Sequence, residues 1–142
     1  MDCTPALRQA FQDAGVSVAW LFGSRAQGTH RSGSDVDIAV HSMTGRPPLG
    51  LLALSRLARL LDPLLPGPAD LVAFERASLE VRARIVMTGQ VLCSDDESLR
   101  VRVTVNTQSR WEDVRPALAE MDRAYLKAVA SRGQESGGGV GG

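Results

Sequence analysis

The chain has 142 residues, of which 44% are hydrophobic and 23% charged, so it is long enough for one hydrophobic core and short for two. Sixteen basic and sixteen acidic residues give a formal net charge of zero, and all but one of the basic residues are arginine. This balance argues against a long nucleic acid as partner, because such binding usually draws on a basic excess that displaces counterions.

The cellular compartment of the protein is predicted from features that its sequence lacks. No apolar run reaches the roughly 18 to 20 residues that span a bilayer, and the first residues lack the basic-then-apolar pattern of a signal peptide. Cys3 and Cys93 are too few and too far apart for a metal knuckle or a disulfide framework. We therefore expect a reduced, cytoplasmic protein that makes no use of a membrane.

The order of helical and extended patterns indicates a mixed α+β (α/β) domain with helices packed on a small mixed sheet. In chain order we predict a helix ending near Ala14, strands over 16–22 and 35–41, a helix over 49–61, a strand over 70–74, a helix over 78–88 and an edge strand over 91–93.

The C-terminal third is less uniform. Residues 99–105 alternate apolar with polar side chains, which by period alone indicates a strand. Further on, apolar residues recur at steps of three or four, as on one face of a helix, namely Trp111, Val114, Leu118, Met121, Tyr125 and Val129. Such a face usually belongs to a core, although it also suits a partner. We predict a core over 1–94, a helical segment packed on it over 95–132, and a disordered glycine-rich tail over 133–142.

Two carboxylates at the start of the second predicted strand carry the first chemical signal. Asp35 and Asp37 are two residues apart, so their side chains point to the same face of the strand. They repel each other unless a cation lies between them, and Mg²⁺ prefers carboxylate and phosphate oxygens. An isolated Asp-x-Asp is, however, common in turns.

A possible phosphate cradle precedes that pair. Gly23 and Ser24 follow a buried strand, where a glycine lets a phosphate approach the backbone and exposed amides attract it. The segment is neither a dinucleotide-binding fingerprint nor a P-loop. Pairing of the two strands would bring this bend beside the carboxylates, and Asp70, at the start of the third strand, is a candidate third carboxylate.

The stretch Gly23-Ser24-Arg25-Ala26-x-Gly28, followed by Ser34-Asp35-x-Asp37-Ile38 and Asp70-Leu71-Val72, resembles the minimal nucleotidyltransferases of the polymerase-beta superfamily, as in toxin–antitoxin pairs with HEPN proteins. Residues 81–92 resemble the helix, glycine and strand of that family. The resemblance implies a polymerase-beta-like nucleotidyltransferase fold with a C-terminal helical extension, and a helix rather than a strand over 99–105.

The resemblance also implies the roles of the site residues. Asp35 and Asp37 would hold two Mg²⁺ ions, with Mn²⁺ as a substitute, and Asp70 would complete one metal site and help activate a hydroxyl. The residues implied in nucleotide binding are Gly23, Ser24, Arg25, Arg31 and Ser34. For Arg31 a solvated loop position is an equal alternative. This chain departs from many relatives at Gln27, where they carry a second arginine.

The implied reaction is attack of an acceptor hydroxyl on the α-phosphorus of a nucleoside triphosphate, with release of pyrophosphate. ATP is favoured by its abundance, and the implied acceptor is a tyrosine of a HEPN toxin, because the chain has no room for a second domain that holds a small acceptor. His30 and His41 are interpreted as a loop and a strand-end residue rather than as catalysts.

Two other classes of function compete with this one. The first is a nucleotide-binding antitoxin or regulatory module that acts mainly by binding its partner; three convergent carboxylates argue for chemistry instead. The second is an unrelated Asp-x-Asp enzyme such as a glycosyltransferase or a phosphatase, disfavoured because the pair follows Gly-Ser and lacks the threonine of a phosphatase. The sequence leaves a homodimer open.

Overall fold

A computed structural model describes the backbone of residues 1–140 and the side chains of residues 1–132. Its helices and strands alternate along the chain as α1 Pro5–Asp13, β1 Val16–Phe22, α2 Ser24–Gln27, β2 Val36–Ser42, α3 Leu51–Leu61, β3 Ala69–Ala73, α4 Leu79–Thr88, β4 Gln90–Ser94 and α5 Glu97–Val140. The predicted elements up to residue 94 are therefore all present, with ends that differ by one or two residues.

The four strands form one mixed sheet in the order β3-β2-β1-β4. Strand β1 runs antiparallel to both β2 and β4, whereas β2 and β3 are parallel and are joined by the crossover that contains α3. The register pairs Phe22 with Asp37 across β1 and β2, and Asp37 with Asp70 across β2 and β3. The mixed α+β fold predicted from the sequence is confirmed.

Both faces of the sheet are covered. Helices α1 and α3 contribute Leu7, Phe11 and Leu57 to a core that includes Ile38 from β2. The opposite face holds a second cluster, whose members include Val18, Trp20, Ala39, Phe74, Ile85 and Leu99. The Trp20 and Phe74 rings stack there with centroids 4.7 Å apart. Since side chains alternate along a strand, Asp37 projects on the face of this second cluster, beyond its end.

The segment 99–105 is helical, within α5, so the strand suggested by its alternation is wrong and the helix implied by the resemblance is confirmed. The reason lies in which of its side chains are buried. Leu99 and Thr107 are nearly inaccessible and Val103 packs on the second cluster, whereas Val101 and Val105 are about half exposed. Positions four apart thus face the core, and the alternating valines between them face outward.

The two cysteines form a disulfide, Cys3–Cys93, with the Cα atoms 5.3 Å apart, so the expectation of two free thiols is wrong. Sequence separation misled the prediction, because packing of α1 on the sheet brings its N-terminal end over β4. A neighbouring polar cluster makes the same connection: Arg8 pairs with Asp95, and Gln12 Nε2 donates to Asp95 Oδ2 at 2.9 Å.

The chain divides into two compact units, Met1–Gln108 and Ser109–Gly142. The second unit is the continuation of α5, with Pro116 inside the helix. The predicted boundaries at 94 and 132 and the predicted disordered tail over 133–142 stay predictions, and Gly141 and Gly142 of that tail lie outside the described residues. Within the part of the chain that is described, no helix is long and apolar enough to cross a bilayer.

Candidate active site

Strand pairing brings the three predicted carboxylates to one end of the sheet. Asp37 and Asp70 are direct neighbours in the parallel register of β2 and β3, close enough to share a hydrogen bond when one of them is protonated. Asp35 precedes β2 and lies near enough to repel Asp37 electrostatically. Asp37 is half-buried, and the other two are exposed. The three predicted carboxylates therefore lie near one another at this end of the sheet, and their role as metal ligands stays a prediction.

The electrostatics of this cluster favour a bound cation. Burial raises the pKa of Asp37 above its ordinary value, and repulsion by Asp70, a hydrogen bond with Asp70 and repulsion by Asp35 raise that pKa further. A divalent cation would reverse the effect of the neighbouring carboxylates and would find only oxygen donors, which hard cations prefer. Among the described residues no group of three or more His, Cys, Asp or Glu side chains is already arranged around a metal position. The donor types and the repulsion nevertheless fit a divalent ion.

Gly23 forms a sharp bend against the central carboxylate. Its backbone has a φ of +70°, and a Cβ atom built on it would lie 2.4 Å from Asp37 Oδ2. Only glycine avoids both the unfavourable φ and this contact. The bend starts α2 at Ser24, so the first backbone amides of that turn lie beside the acidic cluster. The cradle predicted at Gly23 and Ser24 is thus adjacent to the predicted metal ligands.

Arg25 connects the loops that carry the carboxylates. Its Nη2 donates to the backbone oxygen of Ser34 at 2.8 Å, which ties α2 to the residue before Asp35. Its Nε and the Ser34 Oγ are buried without a hydrogen-bond partner in the described residues. At least part of the Arg25 guanidinium is therefore committed to holding the loop, whereas its predicted binding of a phosphate stays a prediction.

A close contact at Gly67 is a feature that the sequence did not reveal. A Cβ atom at Gly67 would lie 2.2 Å from the Ser34 oxygen and 3.2 Å from Arg25 Nη2. Beside it, Val36 N donates to the Pro68 oxygen at 2.7 Å. In the sequence, the segment 66–68 shows only a run of prolines and glycine that is typical of the end of a helix. Its glycine is what allows the loops before β2 and β3 to touch.

The remaining candidates lie around this centre. Arg31 is exposed on the loop between α2 and β2, as both of its interpretations allow. Gln27, the departure from the family pattern, is exposed at the end of α2. His41 lies at the other end of β2 from the carboxylates, with Nδ1 3.8 Å from Glu75 Oε2, and His30 is exposed.

A small mixed sheet with an acidic cluster beside a Gly-Ser bend is the arrangement that the resemblance to nucleotidyltransferases predicts. The family model described as "Polymerase beta, Nucleotidyltransferase" matches residues 6–98. The protein adenylyltransferase MntA of Shewanella oneidensis strain MR-1 is 32% identical over 122 residues, which are 84% of this chain and 85% of that protein. The chain belongs to the polymerase beta nucleotidyltransferase family, whose members generally use divalent metal ions.

Solved structures agree on the fold. A chain of a toxin–antitoxin complex with AMP-PNP superimposes with a TM-score of 0.67 at 27% identity, covering 84% of this chain and 95% of its own length. A chain of the complex between a tri-AMPylated HEPN toxin of Shewanella oneidensis and its MNT antitoxin gives 0.63 at 24% identity, over 83% and 92% of the two chains, a likeness of fold alone. The resemblance stated from the motif is confirmed.

Proposed function

We propose that this nucleotidyltransferase is a protein adenylyltransferase that acts as an antitoxin: it transfers AMP from ATP to a tyrosine hydroxyl of a HEPN-type toxin in the cytoplasm. The observation that carries the proposal is the register of Asp37 with Asp70 beside the Gly23 bend. A carboxylate cluster beside a glycine bend suits an enzyme that holds a metal-bound triphosphate. The similarity to MntA supports AMP and a protein acceptor.

The three carboxylates have different proposed roles, which depend on their positions. Asp35 and Asp37 are the proposed ligands of two Mg²⁺ ions, for which Mn²⁺ could substitute, and Asp70 shares one of these sites. Bound divalent ions would stabilise the charge that develops on the entering and leaving oxygens of an in-line displacement. Asp70 is exposed on the edge strand β3, where an acceptor from another protein can reach it. We assign to Asp70 the removal of the proton from the acceptor hydroxyl.

The bend and the loops orient the triphosphate. The first amides of α2 and the Ser24 hydroxyl are the proposed donors to the terminal phosphates, with Ser34 Oγ as a further donor because it is buried and has no protein partner. Arg31 and the free edge of the Arg25 guanidinium are the proposed cationic contacts. The new bond joins the acceptor oxygen to the α-phosphorus, and the bond from that phosphorus to the bridging oxygen breaks, so pyrophosphate leaves.

The experiment uses the full chain, a purified HEPN-type toxin and ATP labelled at the α-phosphate. We expect transfer of label to the toxin, pyrophosphate release and loss of toxin activity, all dependent on a divalent ion. D35N/D37N should reduce labelling by about a thousandfold or more, because several kcal/mol of charge stabilisation disappear. The matched control is E112Q/D113N, which neutralises two exposed carboxylates outside the cluster and should leave the labelling unchanged.

A second candidate is an antitoxin that binds nucleotide and toxin but works without chemistry. It is favoured by one observation, the uncharged Gln27 at a position where many relatives carry arginine. If D35N/D37N still silences the toxin at equal concentration, or if label never reaches the toxin, the adenylyltransferase proposal is wrong and this candidate replaces it. If the variant Gln27→Arg has a higher labelling rate than wild type, the missing charge at position 27 explains slow transfer by the wild type.

A further inference from the structure

The part of α5 in the second unit carries an apolar stripe that is open to solvent. We call it the seam, and it consists of the half-buried Trp111 and the exposed Val114, Leu118, Met121, Tyr125 and Ala128. Met121 and Tyr125 are 65% and 67% exposed, which is unusual for large apolar side chains aligned along one face. Because burial of apolar surface is favourable, a stripe of this kind is expected to pack against another apolar surface.

The spacing of the seam is that of a coiled coil. Its members are separated by steps that alternate between three and four residues, which is the 3.5-residue repeat of a coiled coil rather than the 3.6 of a straight helix. In heptad notation Trp111, Leu118 and Tyr125 occupy position a, and the other three occupy position d. Pro116 takes the outer position f, so the residue that interrupts the hydrogen bonds of the helix lies away from the seam.

We propose that the seam pairs with the seam of a second copy of this chain, with the two helices antiparallel. When two copies are centred between Leu118 and Met121, each Leu118 faces the partner's Met121. Moving outward, Val114 then faces the partner's Tyr125, and Trp111 faces the partner's Ala128. Every layer outside the centre joins a large side chain to a smaller one, which is how a filled interface is built.

The charges beside the seam favour the same antiparallel arrangement. In an antiparallel pair the e positions of the two helices are neighbours, so each Arg115 lies beside the partner's Asp122, twice per dimer. The g positions Ala117 and Ala124 are small and let the backbones approach. A parallel pair would instead place Arg110 beside the partner's Arg115, where two like charges repel. Only the antiparallel pair is complementary in both size and charge.

The test measures the mass of the full chain in solution by sedimentation equilibrium, for wild type and for charge variants on the helix surface. We expect wild type to be a dimer. R115D and D122R should each raise the dissociation constant roughly tenfold, because two attractive pairs become repulsive. The double variant R115D/D122R should restore the wild-type value, and an equimolar mixture of the two single variants should form a heterodimer in preference to either homodimer.

Matched controls carry the same charge changes outside the seam. R123D at position f and E120R at position c should leave the dissociation constant unchanged. A chain that stays monomeric up to about 100 µM, where even a weak specific dimer forms, overturns the proposal. So does a dimer that ignores the changes at 115 and 122, or a monomer whose affinity for a toxin falls with those changes. Circular dichroism of each variant verifies that the helix is intact.

Discussion

The catalytic end of the sheet and the helix beyond residue 108 are organised by opposite principles. At the catalytic end, residues from three separate segments meet at distances where one added carbon would collide, as at Gly23 against Asp37 and Gly67 against Ser34. In the second unit, apolar side chains recur along one continuous helix, and nearly all of the described side chains are exposed. A function that needs atoms in fixed places thus uses residues from segments far apart in the chain, whereas the pattern of the second unit depends on neighbours within one helix.

Among the single substitutions considered, the largest expected effect would come from adding one methyl group at the catalytic end. G23A combines a positive φ with a contact of 2.4 Å to Asp37 Oδ2, so the acidic cluster or the bend must move. We expect a decrease of about a hundredfold in the rate of AMP transfer, since a displacement near 1 Å has that effect on catalysis.

The control for this change is G45A. Gly45 has a φ of +86°, and a Cβ atom there would meet nothing within 4 Å, so the backbone strain is similar and the collision is absent. Both variants should lose about 1–2 kcal/mol of stability, and only G23A should lose activity. Equal rates for the two variants would mean that Gly23 serves the turn and not the site.

A comparably large effect on stability is expected from the disulfide, which fastens α1 to the sheet of the first unit. C3S/C93S should lower the free energy of unfolding by about 2–4 kcal/mol, because the cross-link restricts the unfolded chain over a long loop. Chemical denaturation with and without a reductant measures it. The reductant should destabilise wild type and leave the double variant unchanged; a wild type indifferent to reductant would show that the bond does not form in solution.

Within α5 itself, two neighbouring positions separate core from surface. L99A should lower the free energy of unfolding by about 2–4 kcal/mol, because Leu99 is buried in the second cluster. V101A, at a side chain that is half exposed, should change it by less than about 0.5 kcal/mol. If a denaturant titration shows similar losses of unfolding free energy for L99A and V101A, the helical register is contradicted. The segment would then be the strand that its alternation suggests.

The smallest expected effect is a gain of stability at the active site. Because the folded pKa of Asp37 is raised, the folded state holds that proton more tightly, and stability falls as pH rises from the unfolded value of 3.8 through the folded pKa. D37N removes this penalty, so we expect the metal-free variant to melt slightly higher than wild type at neutral pH and equally below the unfolded pKa.

The same residue makes cation binding depend on pH. Protons compete with the divalent ion for the Asp37 carboxylate, so the affinity of wild type for Mg²⁺ should weaken as pH falls through the raised pKa. Titration calorimetry at several pH values measures this. An affinity that is constant across the acidic range, or a D37N variant that melts lower than wild type at neutral pH, would contradict the assigned electrostatics.

Much of this protein could be predicted from local patterns. The alternation of helix and strand signals, the Gly-Ser bend and the Asp-x-Asp pair depend on neighbours a few residues apart, and a linear sequence displays such neighbours directly. Asp35 and Asp37 share a face because they lie two apart on a strand, whatever the rest of the chain does. The heptad spacing of the seam belongs to the same category.

Tertiary structure decided what depends on segments far apart in the chain. The alternating valines of residues 99–105 concealed a helix, because burial of Leu99 and Val103 against the sheet outweighs a local period of two. Cys3 and Cys93 form a bond because α1 lies over β4. The pairing of Asp37 with Asp70, and the contact of Gly67 with Ser34, follow from the parallel register of β2 and β3, which the crossover through α3 sets and no local pattern encodes.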